Sequence, residues 1–508
     1  MLRIVNTENG TVRGIEAADP RITAFKGIPF AAPPVGANRW RAPQPAENWE
    51  GVLDCARFKN ISMQDTPGLG TDIYCREWHV DPEIPMDEDC LYLNVWTPAK
   101  SADEKLPVLI WYFGGGLQWG YPSEMEFDGE RMARRGIIVV SVNYRLGVFG
   151  FLAHPQLTKE QPDAPTNFGS LDQQAGLMWV RRNIAAFGGD PDNITIAGQS
   201  AGGGSVMSQI TCPANKGLIK RAIVQSGLIR SPYMPDGFGR PGGMEQVEAN
   251  GAKFFEEYLG VKTLEEARAL DAFFIRDKYG EFAQKNPRFF TNQDGKFSVG
   301  DPFTLCNEGK SCNIQMMAGN TVDEFRSFIP AKDEAELAAR AKEIFGDEAD
   351  KFLSLPGAKD SDGRGHYASV SGIEVSCKAL FSRLREINPE NNCYYYSFNP
   401  DIPGDDNPGS FHSCELWFTF ETLAKCSRAY TGHHYDLARR MCNYWCNFIK
   451  TGDPNGPDAD GTPMPCWEAY TDDNHAGMSF VKEGCVPMNG DSELVSFLTA
   501  DVKKKANK

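Results

Sequence analysis

Two stretches of unbroken apolar character set the strongest limit on how this chain can fold. Residues 106–113 (LPVLIWYF) run into three glycines, and residues 136–143 (GIIVVSVN) run into Tyr144-Arg145. Runs of this length, rich in Val and Ile, belong to strands buried on both faces, as in a parallel sheet covered by helices. The segments that follow fit that frame. Residues 170–187 repeat Leu177, Val180, Ile184 and Phe187 at three- and four-residue spacing, one face of a helix. Gly188-Gly189-Asp190-Pro191 stops that helix. Residues 194–197 read as a short strand, 201–210 as a second helix, and 221–225 as the next strand. Strand and helix in alternation give βαβ units and a doubly wound, mostly parallel α/β sheet.

The texture changes twice. Residues of about 231–307, with 245–258 and 263–279 charged and amphipathic, read as helical without intervening strands. So does a second excursion at about 333–388. Strand character returns at 313–319 (NIQMMAG) and 393–398 (CYYYSF). The expectation is one α/β domain over 1–508 interrupted by two helical insertions. Only Lys503-Lys504-Lys505 reads as a solvated, frayed tail.

The 508 residues carry 52 Lys+Arg against 68 Asp+Glu, a net charge of -16. Nucleic acid is excluded as a partner, because phosphate binding needs a basic face that releases counterions. No apolar run approaches the ~18 residues of a membrane span. The N-terminus, MLRIVNTENG, lacks an apolar h-region, so a cytoplasmic protein is expected, or a secreted one if the chain is a trimmed mature form. Its fourteen cysteines are scattered and form no C-x-x-C pair, so free thiols are expected, with Cys75 and Cys90 the candidates for a bridge in an oxidising compartment. Cys442 and Cys446, four apart in a helix, read as small buried hydrophobes rather than half a metal site. The acidic residues Asp453, Asp458 and Asp460 fit no calcium loop and read as solvated.

Chemistry concentrates at residues 193–204 (NITIAGQSAGGG). Gly198-Gln199-Ser200-Ala201-Gly202 is a G-x-S-x-G sequence between an apolar strand and a helix. The chain must turn so sharply there that Ser200 takes a strained backbone, and side chains two residues either side would collide. The turn lifts the hydroxyl above the sheet edge, at a helix N-terminus where the Ala201 N–H can face an oxyanion. A serine nucleophile needs a base and an orienting acid, here in the order serine, acid, histidine. For the base, His366 in GRGHY and His412 in GSFHSCELW both qualify. For the acid, the residues after NIQMMAG offer Asp323 and Glu324.

The sequence resembles the type B carboxylesterases, the α/β-hydrolases that include para-nitrobenzyl esterases, mammalian carboxylesterases and cholinesterases. The resemblance rests on FKGIPFA at 25–31, EDCLYLN at 88–94 and NYR at 143–145. It continues through FGGDP at 187–191, the serine turn, QSG at 225–227 and TGDPN at 451–455. It implies an α/β-hydrolase fold with helical insertions near the active site. It implies a triad of Ser200, Glu324 and His412, since the family's acid is the Glu of a D-E-G motif, here Asp323-Glu324-Phe325. The implied oxyanion hole is Gly115, Gly116 and Ala201, through backbone N–H groups. Phe113 stands where the family has His or Tyr, and Leu117 replaces an aromatic residue, so a side-chain hydrogen bond that steadies this loop is expected to be lost. Arg39 and Glu88 match a structural ion pair, and Ser226 a hydrogen-bond partner of the acid.

The reading is a serine carboxylic ester hydrolase working through an acyl-enzyme on small to medium uncharged esters, with water as second substrate and no metal or organic cofactor. Its alternatives are a hydroxycinnamate (feruloyl-type) esterase or amidase on the same triad, and a non-enzymatic binding protein on the same scaffold. If the insertions cover the site, Phe273, Phe274, Phe282, Phe289 and Phe290 are expected to form its apolar walls.

Overall fold

The computed structural model describes residues 1–233 and 242–506. Its frame is an eleven-stranded sheet: β1 (Ile15–Glu16), β2 (Thr23–Pro29), β3 (Tyr92–Thr97), β4 (Leu106–Tyr112), β5 (Ile138–Val142), β6 (Gly189–Gln199), β7 (Arg221–Gln225), β8 (Gln315–Thr321), β9 (Cys393–Asn399), β10 (Gly477–Val481) and β11 (Gly484–Met488). They lie side by side in the order β1-β2-β3-β5-β4-β6-β7-β8-β9-β10-β11. From β5 to β10 every pair is parallel. The antiparallel pairs lie toward the two edges.

Strand β4 shows why its sequence is apolar without a break. Val108, Ile110 and Tyr112 enter the core on one side of the sheet, and Leu109, Trp111 and Phe113 the core on the other. Each fully buried Val, Leu or Ile contributes about 1.5–3 kcal/mol, so a polar residue at any of these positions costs stability. The helix Phe168–Asn183 buries Leu177 and Val180 against the first core, and Ala201–Thr211 adds Val206, Met207 and Ile210. A tighter turn, Ile184–Phe187, follows the first helix and ends at Gly188, whose φ of 85° is a left-handed helix stop.

Several expectations change. Strand β6 is eleven residues long rather than four. The first excursion holds Met244–Lys253, Leu264–Arg268 and Ala272–Ala283 as helices, together with a two-residue parallel ladder, Gly242–Gly243 on Asn292–Gln293. Residues 234–241 of that excursion lie outside those described. The second excursion is not wholly helical: Arg326–Pro330 pairs antiparallel with His366–Ser371. That short strand mixes His, Ser and Ala and has no apolar run to mark it. The helix Gly372–Ile387 then packs on the main core through Val375, Leu380 and Phe381.

The lysine-rich end is ordered as well. The helix Glu493–Ala506 buries Leu494, Leu498 and Val502, while Lys503 pairs with Glu386 and Lys504 with Glu348. Asp458 is also buried, held by Arg439 and Asn443. All fourteen cysteines, Cys75 and Cys90 included, are free thiols, and Cys442 and Cys446 are buried in one helix. Arg39 and Glu88 form a buried two-bond ion pair at 2.7 and 2.6 Å. Arg39 also donates to the carbonyls of Ala267 and Leu270, tying the first excursion to the N-terminal region. No described helix is long and apolar enough to cross a membrane.

Candidate active site

Strands β4, β6, β7, β8 and β9 are neighbours and run in one direction, so their carboxyl ends share one edge, where open α/β sheets place their ligands. A residue of interest follows each of them. The glycine loop 114–116 follows β4, Ser200 follows β6, and Ser226 follows β7. Glu324 comes three residues after β8, and His412 lies on the loop beyond β9.

Ser200 sits at φ 56° and ψ −126°, a strained conformation for a residue with a Cβ, which costs about 1–3 kcal/mol. Its N–H donates to the Gln225 carbonyl at 2.8 Å, which anchors the turn to the neighbouring strand. Glycine is required on both sides. A Cβ on Gly198 would lie 2.4 Å from the Gly202 backbone, and one on Gly202 would lie 2.1 Å from the Tyr112 carbonyl oxygen.

The two carboxylates after β8 divide cleanly. Glu324 is buried, and its Oε1 accepts the Ser226 hydroxyl at 2.6 Å and the Thr321 N–H at 2.9 Å. Its Oε2 accepts from His412 Nδ1. Asp323 instead accepts the Ser410 N–H at 2.8 Å and clamps the loop that carries the histidine. His366 is elsewhere: it opens the hairpin strand, pairs with Asp362 at 2.8 Å and does not line the cavity. Phe325, where the resemblance expects glycine, has φ 33° and lays its ring edge-on to the His412 imidazole, 4.6 Å between centroids.

Ser200 and His412 open on one cavity of about 890 Å³, together with Gly114, Gly115 and Gly116. No direct hydrogen bond joins Ser200 to His412 among the described residues. The Gln199 amide lies 3.4 and 3.5 Å from the two ring nitrogens and is fixed by the Ser413 hydroxyl, which donates to its Oε1 at 3.0 Å. Catalytic hydrogen bonds are often long without substrate and tighten in the complex.

Gly115 and Gly116 have φ of 100° and 62°, and neither N–H donates to another group among the described residues. The loop is well braced despite Phe113 and Leu117. Gln64 grips Gly120 at both N–H and C=O, at 2.9 and 3.0 Å. The Tyr144 hydroxyl donates to the Phe113 carbonyl at 2.7 Å, and the two rings stack. Bracing has moved from the expected positions to Gln64 and Tyr144.

The walls are aromatic, but they are not the expected phenylalanines. Tyr74, Trp78, Trp119, Phe127 and Phe325 line the cavity, with Leu69 and Leu416. Phe282 and Phe289 stack on each other within a cluster that includes Phe254 and Tyr279, while Phe273, Phe274 and Phe290 face outward. The helix Ala272–Ala283 reaches the cavity only with Arg276 and Asp277.

Close to Glu324 lies a second buried carboxyl, Glu415. Burial first, then the Glu324 charge, pushes its pKa up to about 8. The folded state therefore holds a proton between about pH 4.5 and 8 that the unfolded chain has released, so stability falls as pH rises through that window. Glu415→Gln keeps the shape and removes the titration. Its melting temperature relative to the parent is expected to rise from pH 5 to about pH 8 and to level off above that, followed by circular dichroism; a constant difference would refute this.

Fold and cavity together define the class, a serine hydrolase on the α/β-hydrolase fold. Comparison with known sequences narrows it. The chain belongs to the carboxylesterase family, whose sequence model matches residues 2–498. It is 32% identical to a cholinesterase of Mus musculus, with 91% of this chain and 81% of that protein covered. Two structures of PNB esterase match with TM-scores of 0.77 and 0.75 at 28% and 29% identity. Those comparisons cover 99% of this chain in each case, and 99% and 100% of the esterase. The enzyme is a carboxylic ester hydrolase.

Proposed function

We propose that the enzyme cleaves small to medium esters without negative charge through an acyl-enzyme formed on Ser200. One observation carries this reading: the imidazole tied to buried Glu324 and the serine on its strained turn open on the same cavity as two glycine N–H groups that donate to no other group among the described residues. As the Ser200 hydroxyl attacks the ester carbonyl, His412 Nε2 takes its proton. Glu324 fixes the Nδ1–H tautomer and stabilises the imidazolium. The developing oxyanion is held by the N–H groups of Gly115, Gly116 and Ala201, the last at the positive end of an eleven-residue helix. Each such donor is worth about 2.7–4 kcal/mol in the transition state. Collapse expels the alcohol, which takes the proton from His412. Water then repeats the sequence and frees the acid.

The substrate class follows from the walls. Aromatic and aliphatic side chains bind acyl and aryl groups without requiring specific hydrogen bonds, and one methylene changes discrimination by only about 1–3 kcal/mol. Asp65, Asp72, Glu124 and Asp277 outnumber Arg276 among the charged lining residues, which disfavours anionic esters. p-Nitrophenyl acetate and butyrate are expected to be cleaved at least tenfold faster, by kcat/KM, than the dodecanoate, with methyl ferulate a slower substrate accepted by the aromatic walls. A rate that climbs steadily with chain length, or jumps at an oil–water interface, would make the enzyme a lipase and overturn this reading.

A further inference from the structure

Phe325 stands out on the cavity wall. Its φ of 33° lies in the left-handed region, where a bulky side chain is an outlier and glycine would be at ease. The neighbouring chain holds it there. The Val322 N–H donates to the Phe398 carbonyl and the Asp323 N–H to the Ser410 carbonyl, both at 3.1 Å. On the other side, Arg326 opens the strand that pairs with His366–Ser371.

The fold gains little from this ring. The side chain is 50% exposed and joins neither apolar core, and among the described residues it packs against one other ring, the His412 imidazole. An exposed aromatic on a strained backbone is costly, and strain of this kind persists where it serves a site. The chemistry fixes which side of the site it serves. His412 Nε2 gives its proton to the leaving alcohol, so the alcohol oxygen comes within about 3 Å of the imidazole and its first carbons lie beside that ring. A phenyl group two carbons further on reaches the ~4.5–7 Å centroid separation at which aromatic pairs attract. The acyl chain starts instead from the carbon bonded to Ser200.

We propose that Phe325 is a specificity-determining residue on the alcohol side of the site, where its ring packs against an aryl group of the leaving alcohol and makes esters of aryl-substituted alcohols the preferred substrates. The proposal rests on the esterase reading above and narrows its substrate class. Recognition is by ring-to-ring contact, so a saturated ring of the same size gains less from it.

The test compares kcat/KM for 2-phenylethyl acetate and 2-cyclohexylethyl acetate, whose alcohols are alike in size and acidity, in the full-length enzyme. The phenyl ester is expected to be favoured at least threefold. Phe325→Leu, which keeps an apolar side chain but has no π face, should lower that ratio at least twofold, and so should Phe325→Gly, whereas Phe325→Tyr should retain it. The ratio for ethyl phenylacetate over ethyl cyclohexylacetate, which carry the same two rings on the acyl side, should stay as it is in the parent. Equal kcat/KM for the two acetates in the parent enzyme would overturn the proposal, even if no variant folds. So would a phenyl preference that survives both Phe325→Leu and Phe325→Gly, or a fall confined to the acyl pair, which would put the ring on the acyl side. Hydrolysis of p-nitrophenyl acetate by the same preparations separates the two readings: intact turnover without the phenyl preference removes only this role of Phe325, whereas no turnover by the parent removes the esterase reading.

Discussion

Ser200→Ala is expected to lower kcat by roughly 10⁴–10⁶-fold, and His412→Ala by a comparable amount. The double variant should be little worse than either alone, because members of such a unit act together and their losses do not add. An alkyl fluorophosphonate should leave one adduct per chain, on the peptide that contains Ser200. The other candidate nucleophiles near the site are poor ones. The Cys414 thiol is fully buried and held well above its ordinary pKa by burial, with the nearby Glu415 and Glu324 charges adding to the effect. The Ser226 hydroxyl is engaged with Glu324. Mass spectrometry that places the adduct on Cys414 or Ser226 would end the assignment of Ser200.

What the sequence revealed, and what it hid, follows the range of the interactions involved. The strands around the site were legible because burial on both faces leaves an unbroken apolar run. The serine turn was legible because its strain demands small residues at fixed offsets, here Gly198 and Gly202. The cavity walls were not. Trp78, Glu124 and the bracing Gln64 sit in irregular segments, and Glu126 in a three-residue helical turn, too short for a period to mark which way a side chain faces. Counting phenylalanines misled for a related reason. In the helix Ala272–Ala283, Ile275 and Phe282 are seven apart and share the buried face, whereas Phe273 and Phe274 fall on the exposed one. Helical phase, not composition, decided which rings were buried.

The choice between Asp323 and Glu324 shows the same limit at the scale of one residue, and it yields the second large effect. Adjacent residues after a strand point in different directions, so only three-dimensional placement separates them. Glu324 turns inward, where two donors besides the imidazole hold its carboxylate. Asp323 turns toward the Ser410 backbone. Glu324→Gln keeps the size of the side chain but removes the charge that stabilises the imidazolium, and its amide can hold the ring in the wrong tautomer. A kcat loss of about 10⁴-fold is expected, with KM nearly unchanged. Asp323→Asn loses only a charge-assisted hydrogen bond to the histidine loop, so its kcat should fall less than tenfold. If the ranking were reversed, the aspartate would be the partner of His412 during turnover. That outcome would also require the backbone at Phe325, the next residue, which already holds a positive φ of 33°, to rearrange so that the two residues exchange places.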